Sequence, residues 1–277
     1  MGGWLAALPK AELHVHLEGS LRPATLCELS PDLTPDAVAE RYRYSGFAGF
    51  IDSFKWAVGY LKEPAHFALA ARRLFEELAA QGVSYAEVTL SVGVMLLRKQ
   101  DAAAIYDAVV AEAARSSVDV WWVVDAVRQF GADAAMPVAR FAADRAGDRV
   151  VAFGIGGDEA GGPVEWFRDV FSFARQHGLA LVPHAGETAS ADSVWGAVKL
   201  GARRIGHGIR AVHDAALMAH LRDHDIPLEV CISSNVATNA VTRLADHPVR
   251  RLYDAGVPIV LNSDDPAMFH TDRKSVV

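Results

Sequence analysis

The sequence predicts an α/β protein of the (β/α)8 TIM barrel class, and three observations carry that prediction. Eight short apolar runs alternate with stretches of good helix formers, the order that builds a parallel sheet wrapped in helices. Several runs are almost wholly apolar, as strands covered on both faces are. Polar residues with catalytic or metal-binding chemistry recur at the ends of the runs, where such a barrel places its active site. No linker, low-complexity tract or short-period repeat divides the chain, so residues 1–277 are expected to form one barrel domain.

The first strand is expected over residues 11–17, where Leu13, Val15 and Leu17 alternate with His14 and His16, putting both imidazoles on one face. Residues 21–63 form a polar and aromatic insertion. In it Phe47, Phe50, Phe54, Trp56 and Tyr60 recur near helical spacing, a stripe suited to core packing or to the apolar lid of a planar ligand's pocket. A helix over 65–81, closed by Gly82, leads to the second strand, 84–90. A helix from Asp101, its N-cap, to Ala114 leads to the third strand, 118–127. The helix 132–146 precedes the fourth strand, 150–157, whose glycines let the backbone approach a ligand closely.

A helix over 163–177 is followed by the apolar run 178–182, which ends in Pro183-His184-Ala185-Gly186-Glu187. After the helix 190–200, strand six (204–209) contains Gly206-His207-Gly208. The helix 213–224 leads to strand seven, 227–235, ending Ser233-Ser234-Asn235. A short helix over 248–255 leads to strand eight, 257–265, ending Asp264-Asp265.

The totals narrow the function. With 277 residues, 51% of them hydrophobic, the chain can bury a sizeable core. A net charge of -7 argues against a nucleic acid or an anionic membrane as the main partner and favours a small molecule. Cys27 and Cys231 are too few for a disulfide framework and lack zinc-finger spacing, which fits a reducing compartment. The first ten residues carry no secretory signal pattern and no run approaches membrane-spanning length, so a cytoplasmic location is expected.

His184 and Glu187, separated only by Ala185 and Gly186, suit a metal ligand and a proton shuttle acting on water. Other strand ends add His14, His16, Gly157, His207, Asn235, Asp264 and Asp265. Three histidines and one aspartate make a nitrogen and oxygen set for one Zn²⁺ per chain that keeps a position for water. Zinc lowers the pKa of such a water to about 7, so hydrolysis follows. Successive side chains point in different directions, which lets Asp264 ligate while Asp265 reaches a substrate. His66, His177, His213, His220, His224, His247 and His270 are expected at the surface.

The motifs Leu8-Pro9-Lys10-Ala11-Glu12-Leu13-His14-Val15-His16-Leu17-Glu18-Gly19-Ser20, His184-Ala185-Gly186-Glu187, Arg204-Ile205-Gly206-His207-Gly208 and Asn262-Ser263-Asp264-Asp265-Pro266 closely resemble the adenosine deaminase family. The resemblance runs in order over residues 8–269. It implies that His14, His16, His184 and Asp264 bind zinc and that Glu187 handles protons at purine N1. It also implies that His207 orients or deprotonates the zinc-bound water, that Asp265 contacts N7, and that the Gly157 N–H contacts N3. Hydroxide would attack C6 and ammonia would leave, converting a 6-aminopurine to a 6-oxopurine. The logic parallels that of the His and Cys zinc deaminases, without their Pro-Cys-x-x-Cys motif.

Two departures from the family bear on function. At Glu18, adenosine-specific members commonly have Asp, which contacts the ribose, and one extra methylene moves the carboxylate further than a hydrogen bond tolerates. The 204–208 motif looks more like the nucleoside branch, which points to adenosine, deoxyadenosine or a modified nucleoside such as aminodeoxyfutalosine, with adenine deamination as the alternative. The second departure is that only residues 267–277 follow the last motif, where relatives continue for several helices. The closing helices of the barrel are therefore expected to be missing, with exposed flanks on strand eight and helix one, and a truncated, non-catalytic metal-binding relative is the rival reading. Another metal-dependent hydrolase, a lactonase or cyclic amidase, is disfavoured because strand four ends in Gly156-Gly157 where many binuclear members place a bridging lysine.

Overall fold

The computed structural model describes residues 8–273. Eight parallel strands lie side by side in chain order: β1 (Lys10–His16), β2 (Val83–Leu90), β3 (Asp119–Val127), β4 (Val150–Gly156), β5 (Ala180–Ala185), β6 (Ile205–His207), β7 (Leu228–Val230) and β8 (Ile259–Leu261). The barrel closes at the site itself. Asp264 N–H donates to the His14 carbonyl and Asp264 O accepts from His16 N–H, each at 2.9 Å. Below that seam the Asn262 side chain accepts from Leu13 N–H at 3.0 Å.

Apolar strands covered on both faces explain the core. Val88, Val120, Val124, Phe153 and Ile155 have no exposed surface. Trp122 packs edge-on against Phe75 and Tyr106, joining β3 to the helices Pro64–Ala80 and Ala102–Ala113. The first of these helices opens on Pro64 inside a Glu63/His66 capping box, and the second is capped by Asp101, whose carboxylate accepts from Ala104 N–H.

The insertion after β1 folds into three helices, Pro23–Leu29, Pro35–Arg41 and Gly46–Val58. Its aromatic stripe divides between the two roles expected of it. Phe47, Phe50 and Phe54 line a cavity, while Trp56 packs edge-on against Tyr42 and Tyr60.

Three expectations need correction. Strand seven does not run to residue 235. It stops at Val230, and Ser233, Ser234 and Asn235 lie on a short helix, Ile232–Ala237. Small polar residues offer little apolar surface to a sheet sandwiched between core and helices, whereas a helical turn pairs their backbone groups locally, as Asn235 N–H does with the Cys231 carbonyl. Strand eight likewise stops at Leu261, and the left-handed backbone of Asp264 (φ 64°) rules out the expected continuation to residue 265. His247 is buried, not on the surface.

The residues of β8 are only half-buried, and the segment after them folds over the barrel rim. There Ala267 and Met268 are buried, Phe269 packs against Phe50 with the rings tilted by 35°, and Arg273 donates to the Ala11 carbonyl at the start of β1. Among the described residues no helix is long and apolar enough to cross a membrane.

Candidate active site

The alternation of β1 turns His14 and His16 to the same side, β5 brings His184 alongside, and the closing seam adds Asp264. One donor atom from each of the four lies within 4.8 Å of the others. Asp264 Oδ1 stands 3.4 Å from His14 Nε2 and 3.3 Å from His16 Nε2. The rings pack this closely because residue 206 is glycine: a Cβ there would lie 3.0 Å from His14 Cε1 and 3.2 Å from His184 Cγ.

Electrostatics hold the group in place. Burial works to depress the His14 imidazole, yet the Asp264 and Glu229 carboxylates outweigh it and raise its pKa well above the usual range. Burial lowers His16 to about 4 and lowers His184, leaving both neutral and able to ligate. Behind His14, Glu229 Oε2 accepts from Nδ1 at 2.9 Å, which turns Nε2 into the cluster. Arg204 then donates to Glu229 and to Glu87, and burial of the Glu229 carboxylate is overcome by its His14 and Arg204 contacts.

After β5 the loop bearing Glu187 is wrapped around one buried carboxylate. Glu159 accepts N–H groups from Gly186 (2.6 Å), Glu187 (2.9 Å), Thr188 (2.7 Å) and Ala189 (3.0 Å), and the Ser193 hydroxyl at 2.8 Å. Burial works to raise Glu159, but those donors and Arg128 hold it below the ordinary range. The loop presents Glu187, whose carboxyl burial pushes up, 3.6 Å from His207 Nε2.

His207 has a left-handed backbone (φ 59°) and its Nε2 lies 3.8 Å from Asp264 Oδ2. Its Nδ1 meets the Asn235 side-chain amide at 3.1 Å. Asp265 lies against Gly19, where any Cβ would collide with its carboxylate, and burial together with Asp264 raises its pKa far above the ordinary value. Gly157, at φ 99°, forms part of the cavity wall beside Gln129. Glu18 stands behind that wall: Oε1 accepts from Ser91 N–H at 3.0 Å, Oε2 has no partner among the described residues, and burial lifts the carboxyl to about 7. Cys231 is fully buried, and burial pushes its thiol up, so it sits among the site residues in neutral form.

These groups open into a cavity of about 470 Å³. His16, His184, Glu187, His207, Asp264 and Asp265 form its floor. An apolar sleeve of Phe47, Phe50, Phe54, Val58 and Phe269 rises from it, with Lys55 and Arg98 also on the wall.

The family model described as adenosine deaminase matches residues 9–276. The chain belongs to the adenosine deaminase family. An aminodeoxyfutalosine deaminase of Streptomyces avermitilis is 41% identical to it, over 97% of this chain and 79% of that protein. An adenine deaminase of Rhizobium meliloti is 36% identical, over 96% of this chain and 85% of its own length. The crystal structure of an adenine deaminase from Arthrobacter aurescens aligns with a TM-score of 0.88 at 28% identity, covering 96% of this chain and 85% of that one.

Four residues of this deaminase escaped sequence reasoning. Asp125 lies on the cavity wall with one carboxylate oxygen unpartnered among the described residues, and a lone Asp within Val123-Val124-Asp125-Ala126-Val127 was a readable signal. Glu229, alone between Leu228 and Val230, was another. Glu159 and His247 carried no such mark, because their partners are loop backbone groups and a side chain on another element.

Proposed function

We propose that the protein hydrolyses the 6-amino group of a purine nucleoside, releasing ammonia, with one Zn²⁺ held by His14, His16, His184 and Asp264. The observation that carries this reading is the placing of a buried Glu187, its carboxyl pushed above the ordinary range by burial, and a buried His207 on one cavity floor beside that four-donor cluster. The cluster fits the ion: nitrogen and carboxylate donors converge, and His14 Nε2 is buried with no hydrogen-bond partner among the described residues. When bound, zinc supplies the Lewis acidity that brings the pKa of water to about 7.

The chain's own groups do the rest. With its carboxyl raised by burial, Glu187 delivers a proton to purine N1 as the water oxygen bonds to C6. The carboxylate left behind then takes up the water's protons, passing one to the amino nitrogen so that ammonia leaves as the C6–N bond breaks and keeping the other. Asp265, kept neutral by burial and by Asp264, donates a hydrogen bond to N7, as a raised carboxylic acid can. The Gly157 N–H faces N3, and His207 orients the attacking water. Glu18 sits behind Ser91 in place of the ribose-contacting Asp of adenosine-specific members, which supports a sugar side unlike that of adenosine itself. The phenylalanine sleeve with Lys55 and Arg98 suits a nucleoside extended by an apolar, anionic group. The substrate named for the Streptomyces relative, aminodeoxyfutalosine, is therefore the favoured one.

The test is incubation of zinc-loaded protein with aminodeoxyfutalosine, adenosine, 2′-deoxyadenosine and adenine, following ammonia release, with Glu187→Ala as the blank. We expect turnover of the modified nucleoside above the others, lost in the variant. Preference for free adenine would move the protein to the adenine branch, and zinc retention without any turnover would favour the non-catalytic reading.

A further inference from the structure

We propose that Asn235 and His247 are positioning residues that fix the His207 proton on Nε2, so that His207 faces the reacting centre as a hydrogen-bond donor and not as a base. The inference rests on the reading above for the role of His207 in turnover, but its structural part stands on geometry alone. The chain of contacts starts at a backbone group whose direction is beyond dispute. The Val249 N–H can only donate, and it does so to His247 Nδ1 at 3.1 Å. A ring nitrogen that accepts carries no proton, so a neutral His247 has its proton on Nε2. His247 is buried, and that burial lowers it to about 4.

His247 Nε2 lies 3.2 Å from Asn235 Oδ1 and must donate there. This sets the amide: its oxygen faces His247, and its NH₂ faces His207 Nδ1 at 3.1 Å. His207 Nδ1 therefore accepts, and the ring proton sits on Nε2. That proton points at two acceptors, Glu187 Oε2 at 3.6 Å and Asp264 Oδ2 at 3.8 Å. Asn235 is completely buried and His207 nearly so, which keeps bulk water from offering either side chain a substitute partner. Asn235 is itself anchored, its N–H to Cys231 O at 2.9 Å and its carbonyl accepting from Val241 N–H at 2.8 Å.

The consequence is mechanistic. With Nε2 already protonated, His207 cannot take a proton from water at that atom. Taking one at Nδ1 would confront the Asn235 NH₂ and require the amide to flip against His247. His207 therefore orients the water through its N–H, and proton handling falls to Glu187.

The experiment reads the tautomer first. In protein labelled with ¹⁵N-histidine, long-range ¹H–¹⁵N correlation at neutral pH, assigned by loss of the signal in His207→Gln, should show the Nε2–H form. An Nδ1–H or doubly protonated ring would overturn the proposal. Asn235→Asp keeps the shape but offers His207 Nδ1 an acceptor, which draws the proton to Nδ1. We expect kcat to fall about 100-fold with KM within about threefold and metal content and melting unchanged. Unchanged kcat in a folded Asn235→Asp would count against the assignment.

His247→Gln retains a donor for Asn235 and should keep kcat within about threefold, while His247→Phe fills the space without one and should lose about tenfold or more. Equal rates in that pair would also overturn it. If Asn235→Asp does not fold, the wild-type tautomer and the His247 pair still decide. Should no 6-aminopurine turn over, the proposed reaction fails, while the tautomer continues to test this inference by itself.

Discussion

The first five strands and the last three share one barrel but are built differently. β1 to β5 are 6 to 9 residues long, whereas β6, β7 and β8 have 3 residues each. The long strands carry His14, His16 and His184 within the strands themselves, His14 at a register slip of β1 against β2. The short ones release the chain early into turns, and there His207 and Asp264 adopt left-handed conformations while Asn235 rides on a helical turn. Such backbone costs about 1–3 kcal/mol per residue and persists only where surroundings hold it. Here the barrel seam holds Asp264, and the Gly208 N–H to Ala185 carbonyl bond holds the turn that follows His207. The contrast teaches a division of labour. Long strands carry the three histidines of the donor cluster, and strained exits aim its aspartate, Asp264, together with His207.

The largest expected effect separates ion binding from proton handling. His184→Ala, on a long strand, should lose bound metal and activity together, as metal analysis of the dialysed protein would read. Glu187→Gln should keep the metal and melt normally but lower kcat by about 1,000-fold, within the range of general acid–base groups. Metal loss in Glu187→Gln, or metal retention in His184→Ala, would break the division.

Next comes the loop where the two regions meet. Replacing Glu159 by Ala leaves buried N–H groups without an acceptor and should cost about 3 kcal/mol in urea unfolding at pH 7. The pH dependence follows from its depressed pKa. A carboxylate held below its ordinary 4.5 contributes stability above that value and loses it as pH falls through the folded-state pKa. Wild type should therefore lose stability between neutral pH and pH below 4.5 by more than Glu159→Gln does, and parallel curves would refute the role given to this carboxylate.

Sequence legibility follows the same divide. Apolar runs long enough to be buried on both faces were readable as β1 to β5, and the alternation around His14 and His16 showed which side they share. The His184 to Glu187 stretch was readable because its chemistry is local. β7 was misread past Val230, since Ser233, Ser234 and Asn235 carry neither apolar periodicity nor a helix breaker and their helical turn is decided by contacts. His247 was unreadable because its meaning lies in a bond to Asn235, 12 positions earlier, and in the proton direction imposed by Val249. Asp125 and Glu229, single charges inside apolar runs, were readable in principle, since a buried carboxylate must have a partner or a task.

The smallest expected effect tests the two regions on packing alone. Val124 on β3 has no exposed surface, while Val260 on β8 is half-buried. Val→Ala removes the same atoms at both. At Val124 it deletes contacts on every side and should cost about 2 kcal/mol, whereas at Val260 solvent already occupies part of the surroundings and the cost should be about 0.5–1 kcal/mol. Urea midpoints with unchanged slopes would give both numbers. Equal costs would mean that β8 is covered in solution, and a midpoint for Val260→Ala that shifts on dilution would identify a second copy of the chain as the cover. Unequal costs, independent of concentration, would mean that the short-strand region is held mainly by its hydrogen-bonded seam at Asp264 and Asn262. Asp264, which closes the barrel, would then also be a principal fastening of its last strand.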